Sequence, residues 1–285
     1  MTTLTEGAFA KLNLTLDVLE RRPDGYHNLS SVMQTISIRD DVELILNDSD
    51  RWSLICDRED VPKDETNLAW RAAEVFFQTL GGRPDGLEIR LTKRIPSGAG
   101  LGGGSADAAA VLRALNRWRE YPLSVYALCE LGAQVGSDVP FSVLCGTALA
   151  EGRGERLTKL ADAPEMFYVV CKPKLSFSTP ELYRKLDETH VTRHPDAQQM
   201  QSALLSGDLE AVGKALGNVF EEAVVLDNPE INYIKSIFMT YGAYGAQMTG
   251  SGSAVFGIFD SFEYAAVACM MLKENYSEVF IAKNV

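Results

Sequence analysis

The stretch Pro96-Ser97-Gly98-Ala99-Gly100-Leu101-Gly102-Gly103-Gly104-Ser105-Ala106-Asp107 carries the clearest chemical signal in the chain. Five of its twelve residues are glycine. A strand-like run, Leu87 to Thr92, precedes it, and a helical pattern, Ala106 to Arg117, follows. Strand, glycine loop and helix together present bare backbone N–H groups at a helix N-terminus, and glycine lets an anion come close to them. The guest that suits this is a phosphate. An ordinary P-loop needs a lysine after its last glycine, where Ser105 stands. Gly98, Gly100 and Gly103 fit the dinucleotide pattern, but its ribose-binding acid should end a second strand, and Glu120 instead precedes a helix start.

Three other segments carry chemistry of the same kind. Lys11 and Asn13 share one face of an alternating run, Lys11 to Val18, with apolar residues at 12, 14, 16 and 18 on the other face. Gly136-Ser137-Asp138-Val139-Pro140-Phe141 sets a carboxylate in a tight turn, where it could equally serve as a cap. Thr249-Gly250-Ser251-Gly252-Ser253 is a second glycine-rich turn.

These segments need elements to hold them. Arg22-Pro23-Asp24-Gly25-Tyr26 reads as a turn. Strands are expected at 31–38 and 42–46. A helix is expected at 68–80, capped by Asn67 or Thr66, with further helices at 105–117 and 123–134. A short strand, 147–151, follows. The C-terminal part opens on a buried-strand run at 167–171. A helix to Leu186 follows, capped by Thr179 with Pro180 in its first turn. Helices at 197–205, 208–217 and 228–239, a strand at 254–259, a helix at 262–274 and a strand at 278–282 complete it. Strands first and alternating elements later predict an α+β protein of two lobes, 1–160 and 161–285.

The composition bounds the function. The chain has 285 residues and a formal net charge of −12, which disfavours nucleic acid and anionic membrane as partners. A phosphate site must therefore be locally positive, and Lys93 and Arg94 stand just before the loop. No apolar run reaches membrane-spanning length and no signal-peptide pattern opens the chain, so a cytoplasmic protein is expected. The five cysteines form no C-x-x-C pair and read as buried free thiols. His190 and His194 are four apart, but Pro195 and the lack of an H-E-x-x-H frame place them on a surface loop rather than on zinc.

Taken together, the segments at 11–13, 96–106, 136–141 and 249–253 resemble the GHMP family of small-molecule kinases. Ala10-Lys11-Leu12-Asn13-Leu14, Arg22-Pro23-Asp24-Gly25-Tyr26-His27 and Gly152-x-Gly154-Glu155 are similar to the members whose acceptor alcohol carries a cytidine diphosphate handle. The resemblance covers residues 8 to about 259. It implies a two-lobed fold with an N-terminal ATP-binding lobe and a C-terminal α/β lobe. It also implies phosphoryl transfer from ATP, with Mg²⁺, to a hydroxyl in isoprenoid precursor synthesis. By the same resemblance, Lys11 and Asp138 are catalytic. Pro96, Ser97, Gly98, Ala99, Gly100, Leu101, Gly102, Gly103, Gly104, Ser105 and Ala106 hold the triphosphate, and Ser105 is a Mg²⁺ contact. Asn67 and Lys93 lie around the adenine. Asn13, Tyr26, His27, Thr179, Tyr183, Gly250 and Ser251 bind the acceptor, with His27 on the cytosine edge and Tyr183 stacked on the ring. Ala106 departs from the serine that many members carry there. Two rival readings stay open: a homoserine- or mevalonate-type kinase of the same family, and a non-catalytic nucleotide-binding relative.

Overall fold

The computed structural model describes residues 1–189 and 191–285; the expected loop position of His190 lies outside the described residues. The chain begins with β1 (Thr2–Asn13), β2 (Thr15–Arg21), β3 (His27–Asn47), β4 (Trp52–Cys56), α1 (Leu68–Leu80) and β5 (Gly86–Thr92). It continues through α2 (Gly103–Trp118), α3 (Val125–Ala133), α4 (Val139–Leu144), β6 (Thr147–Gly152), β7 (Arg156–Lys159) and β8 (Phe167–Lys172). Then come α5 (Thr179–Glu188), α6 (Ala197–Ser206), α7 (Leu209–Ala215), β9 (Gly217–Asn218), α8 (Val219–Val224) and α9 (Pro229–Thr240). β10 (Gly245–Met248), β11 (Val255–Phe259), α10 (Phe262–Lys273) and β12 (Glu278–Lys283) close it.

Contacts gather into two compact units that interleave along the chain. One comprises Met1–Ala10, Ile38–Ser97 and Gly102–Cys145; the other comprises Lys11–Ser37, Gly98–Leu101 and Gly146–Val285.

In the first unit the second half of β3 pairs antiparallel with β5, from Asp41↔Thr92 to Asn47↔Gly86, and β4 pairs parallel with β5. Helices α1 and α2 pack on each other. Helix α2 can come close because its buried face is built of small residues, Ala106, Ala108, Ala109, Ala110 and Ala114. Asn67 is the cap of α1, its side chain accepting from the Ala69 amide.

In the second unit β2 and β6 flank the first half of β3, both antiparallel, and β9 lies parallel to β2. A separate antiparallel sheet runs β10-β11-β8-β12. Helices α9 and α10 cover it over a core that includes Val169, Val255, Phe259, Ile234 and Phe238.

The chain departs from the expected elements at several points. The run Lys11 to Val18 is two strands meeting at Leu14, where the Leu14 amide donates to the Val32 carbonyl. Both of its faces are buried: Lys11, Asn13, Thr15 and Asp17 are at most 6% exposed, so the polar face is not solvated. Strand β3 is continuous through Arg39-Asp40-Asp41, which punctuation alone would read as a break. Asp40 stays in the strand because its buried carboxylate accepts the Arg94 and Ile95 amides. Ser178, not Thr179, is the N-cap of α5; Thr179 begins the helix. The cysteines are free, four of them buried and Cys145 half-buried. His194 is exposed outside any helix or strand, and its Nδ1 lies 2.8 Å from Asp17 Oδ1.

Candidate active site

In the first unit, the glycine loop ends on the start of α2. Gly102 takes the N-cap position in the left-handed region (φ 71°) and supplies no side-chain cap. The first N–H groups of this sixteen-residue helix therefore have no side-chain acceptor at the cap. That is the arrangement an anion completes. Ser105 is half-buried in the first turn.

Beneath this start lies a buried ionic cluster. Lys93 Nζ donates to carboxylate oxygens of both Asp40 and Asp107, and all three side chains are at most 4% exposed. A Cβ built on Gly103 would lie 3.6 Å from that ammonium. Asp40 also accepts the Ile95 amide at 2.8 Å, and the Lys93 amide donates to Asp57 Oδ1 at 3.0 Å. The cluster thus ties residues 93–95, where the chain enters the loop, to α2, where it leaves. Burial opposes the Lys93 charge, but Asp107 and Asp40 outweigh it and raise its pKa. Burial pushes the Asp107 carboxyl up to about 7, with Lys93 opposing and Asp40 reinforcing. Asp107 Oδ1 is buried without a hydrogen-bond partner, which disfavours the charged carboxylate in the same direction.

Asp138 belongs to the same unit. It stands half-buried at the N-cap position of α4, yet its side chain makes no capping hydrogen bond. A plain capping role does not account for it.

The second unit brings three of the four motifs together. Lys11 Nζ donates to Asn13 Oδ1 at 2.6 Å, Asn13 Nδ2 to Ser31 Oγ at 2.8 Å, and Ser31 Oγ to the Thr15 carbonyl at 2.6 Å. The Asn13 amide donates to Thr249 Oγ1, and the Lys11 amide to the Leu101 carbonyl. Gly100 has φ 74°, and a Cβ there would lie 2.2 Å from the Thr249 carbonyl oxygen. A Cβ on Gly250 would lie 3.2 Å from Lys11 Nζ. Glycine is required at both points by backbone conformation and by close approach. The 98–101 segment, the 249–252 turn and the Lys11 strand therefore form one packed site.

The second unit also carries the acceptor candidates Thr179, Ser251, His27, Tyr183 and Tyr26. Thr179 Oγ1 and Ser251 Oγ are 3.0 Å apart. His27 stacks on Tyr183, with centroids 5.2 Å and planes 16° apart, and His27 Nε2 lies 2.9 Å from Asp187 Oδ1. Phe220 packs edge-on against Tyr183. Tyr26 is exposed, with the Arg153 guanidinium 5.1 Å from its ring centre.

Two segments match models of the GHMP kinases, the N-terminal domain over residues 67–146 and the C-terminal domain over residues 200–278. A 4-diphosphocytidyl-2-C-methyl-D-erythritol kinase of Geobacillus thermodenitrificans (strain NG80-2) is 45% identical over 90% of this chain and 88% of its own. One from Pelotomaculum thermopropionicum is 43% identical over 99% of this chain and 98% of its own. The chain belongs to the 4-diphosphocytidyl-2-C-methyl-D-erythritol kinase family of GHMP kinases. A solved 4-(cytidine 5'-diphospho)-2C-methyl-D-erythritol kinase superposes with a TM-score of 0.82 at 32% identity, covering 99% of both chains. A homoserine kinase from Cytophaga hutchinsonii, at 20% identity and a TM-score of 0.78 over 100% of this chain and 95% of its own, shares the fold.

For a member of this family, two expected nucleotide contacts are already engaged. The Lys93 ammonium is committed to Asp40 and Asp107. The Asn67 amide caps α1 and donates to the Pro62 carbonyl at 2.7 Å. Sequence reasoning missed Asp40. Its signal was its place in the buried phase of Ile38, Asp40, Val42 and Leu44, where a charge needs partners. Among the described residues no helix is long and apolar enough to cross a membrane.

Proposed function

We propose that the chain transfers the γ-phosphoryl group of ATP to the 2-hydroxyl of 4-diphosphocytidyl-2-C-methyl-D-erythritol, giving the 2-phosphate and ADP. It would act in the cytoplasm, on the non-mevalonate route to isoprenoid precursors. Family membership gives the kinase chemistry. The observation that carries the site is the packing of residues 98–101 and the 249–252 turn around Lys11. Lobes 1–160 and 161–285 would divide between the two matched segments.

Phosphoryl transfer needs in-line positioning and charge stabilisation more than covalent help. The glycine loop and the uncapped start of α2 fit an anionic triphosphate. Mg²⁺ arriving with ATP neutralises phosphate charge when bound. Ser105, in the first turn of α2, is the proposed protein contact for such an ion. The Asp40–Lys93–Asp107 cluster holds the loop in shape, and Lys93 acts as its support rather than as a direct adenine contact. Asp138 accepts the proton of the acceptor hydroxyl or orients that hydroxyl, and Lys11 offsets charge on the transferring group. His27 and Tyr183 receive the cytosine, with Tyr26, Thr179, Gly250, Ser251 and Asn13 around the rest of the acceptor.

The test is a single turnover with γ-labelled ATP and the cytidine-linked alcohol. Label on the 2-position of the acceptor supports the reading. ATP bound without any transfer supports a non-catalytic relative.

A further inference from the structure

Asn218 is buried and its side chain is fully engaged. Its Oδ1 accepts the Phe220 amide at 3.0 Å as the N-cap of α8. Its Nδ2 donates to two carbonyls, Met248 at 2.8 Å and Gly250 at 2.9 Å. The cap alone does not explain the residue, because Asp or Ser caps as well as Asn. Only the carboxamide adds two donors to that acceptor.

The two donors reach both ends of one short stretch. Gly250 is the residue that approaches Lys11, and Ser251 is bonded to Thr179. On the other side, Gln247 repeats the device. Its Nε2 donates to the Asn13 carbonyl at 2.7 Å and the Leu14 carbonyl at 3.1 Å, fixing the end of the strand that carries Lys11 and Asn13. Gln247 Oε1 is buried without a hydrogen-bond partner, so this amide is engaged through its donors alone.

We propose that Asn218 is a positioning residue for phosphoryl transfer: its two carbonyl contacts set the Gly250–Ser251 turn against Lys11, and so hold the acceptor. This rests on the reading of that turn as an acceptor contact. The Gln247 amide holds the end of the strand that carries Lys11 and Asn13.

Asn218→Asp separates positioning from capping. The carboxylate keeps the cap acceptor and the volume, but it has no donors and faces two carbonyl oxygens. Asn218→Ser keeps the cap without adding a charge, and carries the test if the Asp variant does not fold. Three readouts are needed: thermal unfolding, ATP affinity by calorimetry without acceptor, and steady-state kinetics in the acceptor. The folded variants should lose about tenfold or more in acceptor kcat/KM, the equivalent of unsatisfied buried hydrogen bonds. ATP affinity should fall clearly less than acceptor kcat/KM, since the donors touch the 248–250 stretch directly and reach residues 98–101 only through its packing on Gly100. Wild-type acceptor kinetics in either folded variant overturn the proposal, as does an equal loss of ATP affinity. Gly250→Ala and Ser251→Ala are measured beside them. If these also leave acceptor kinetics unchanged, the reading of the turn itself fails. If they raise acceptor KM while the Asn218 variants do not, only the positioning role falls.

Discussion

The imidazole of His27 lies flat on the phenol ring of Tyr183, centroids 5.2 Å apart. The two come from β3 and α5, and Asp187, one turn along α5 from Tyr183, fixes the imidazole through Nε2. The pair therefore acts as one surface. His27→Ala or Tyr183→Ala should each raise acceptor KM about tenfold, the cost of a lost base-stacking contact. Because the rings touch, the double variant should cost clearly less than the sum. Acceptor KM at saturating ATP across the four proteins tests this; strict additivity would mean that the two rings contact the acceptor separately.

Gly100→Ala should disrupt the site far more than Gly146→Ala. Both glycines have positive φ, 74° and 75°, so both substitutions carry a strain of about 1–2 kcal/mol. At Gly146 a Cβ meets nothing within 4 Å, whereas at Gly100 it would lie 2.2 Å from the Thr249 carbonyl oxygen. Urea unfolding should show the larger loss for Gly100→Ala, accompanied by loss of turnover. Equal losses would mean that residues 98–101 do not depend on close packing against the turn.

How far was this site legible beforehand? Asn67 and α1 were, because a cap followed by a helical period is local information. The loop at 96–107 was legible as a loop, because a dense glycine run between a strand pattern and a helix pattern marks a chain that needs positive φ, as Gly98, Gly100 and Gly102 have. The burial of the Lys11 face was not: alternation gives the two faces but not what covers them. Asp40 was hidden because its partners Arg94 and Ile95 are 54 and 55 residues away. Asn218 was hidden likewise, its carbonyl partners lying 30 and 32 residues on. Thr179 looked like a cap because Thr-Pro is a common helix opening, yet its hydroxyl is paired with Ser251.

Asp138→Asn should leave ATP affinity nearly intact and lower kcat by about 10²–10⁴, the usual cost of a lost general base. Lys11→Ala should likewise act on kcat more than on ATP binding. Rapid-quench kinetics beside calorimetry separate the two steps. A Lys11 variant that binds ATP far more weakly, yet turns over normally at saturation, would move Lys11 to the nucleotide.

Asp107 gives the protein a stability term that depends on pH. Burial raises its folded-state pKa from the ordinary 3.8 to about 7. The folded protein therefore holds this proton longer than the unfolded chain does. The contribution is fully present below about pH 4 and is lost as pH rises through about 7. Between these limits the wild type should lose stability relative to Asp107→Asn as pH rises. Urea midpoints of both proteins across that window check the sign; parallel curves would show that Asp107 titrates at its ordinary value.

The most direct measurement is kcat/KM for ATP-dependent phosphorylation of 4-diphosphocytidyl-2-C-methyl-D-erythritol beside homoserine and mevalonate, at one protein concentration. The cytidine-linked alcohol should be preferred by at least about a hundredfold, because the two alcohols leave the His27–Tyr183 surface and its polar neighbours unpaired. Homoserine or mevalonate turned over as efficiently, or no ADP formed with the cytidine-linked alcohol present, would contradict the account.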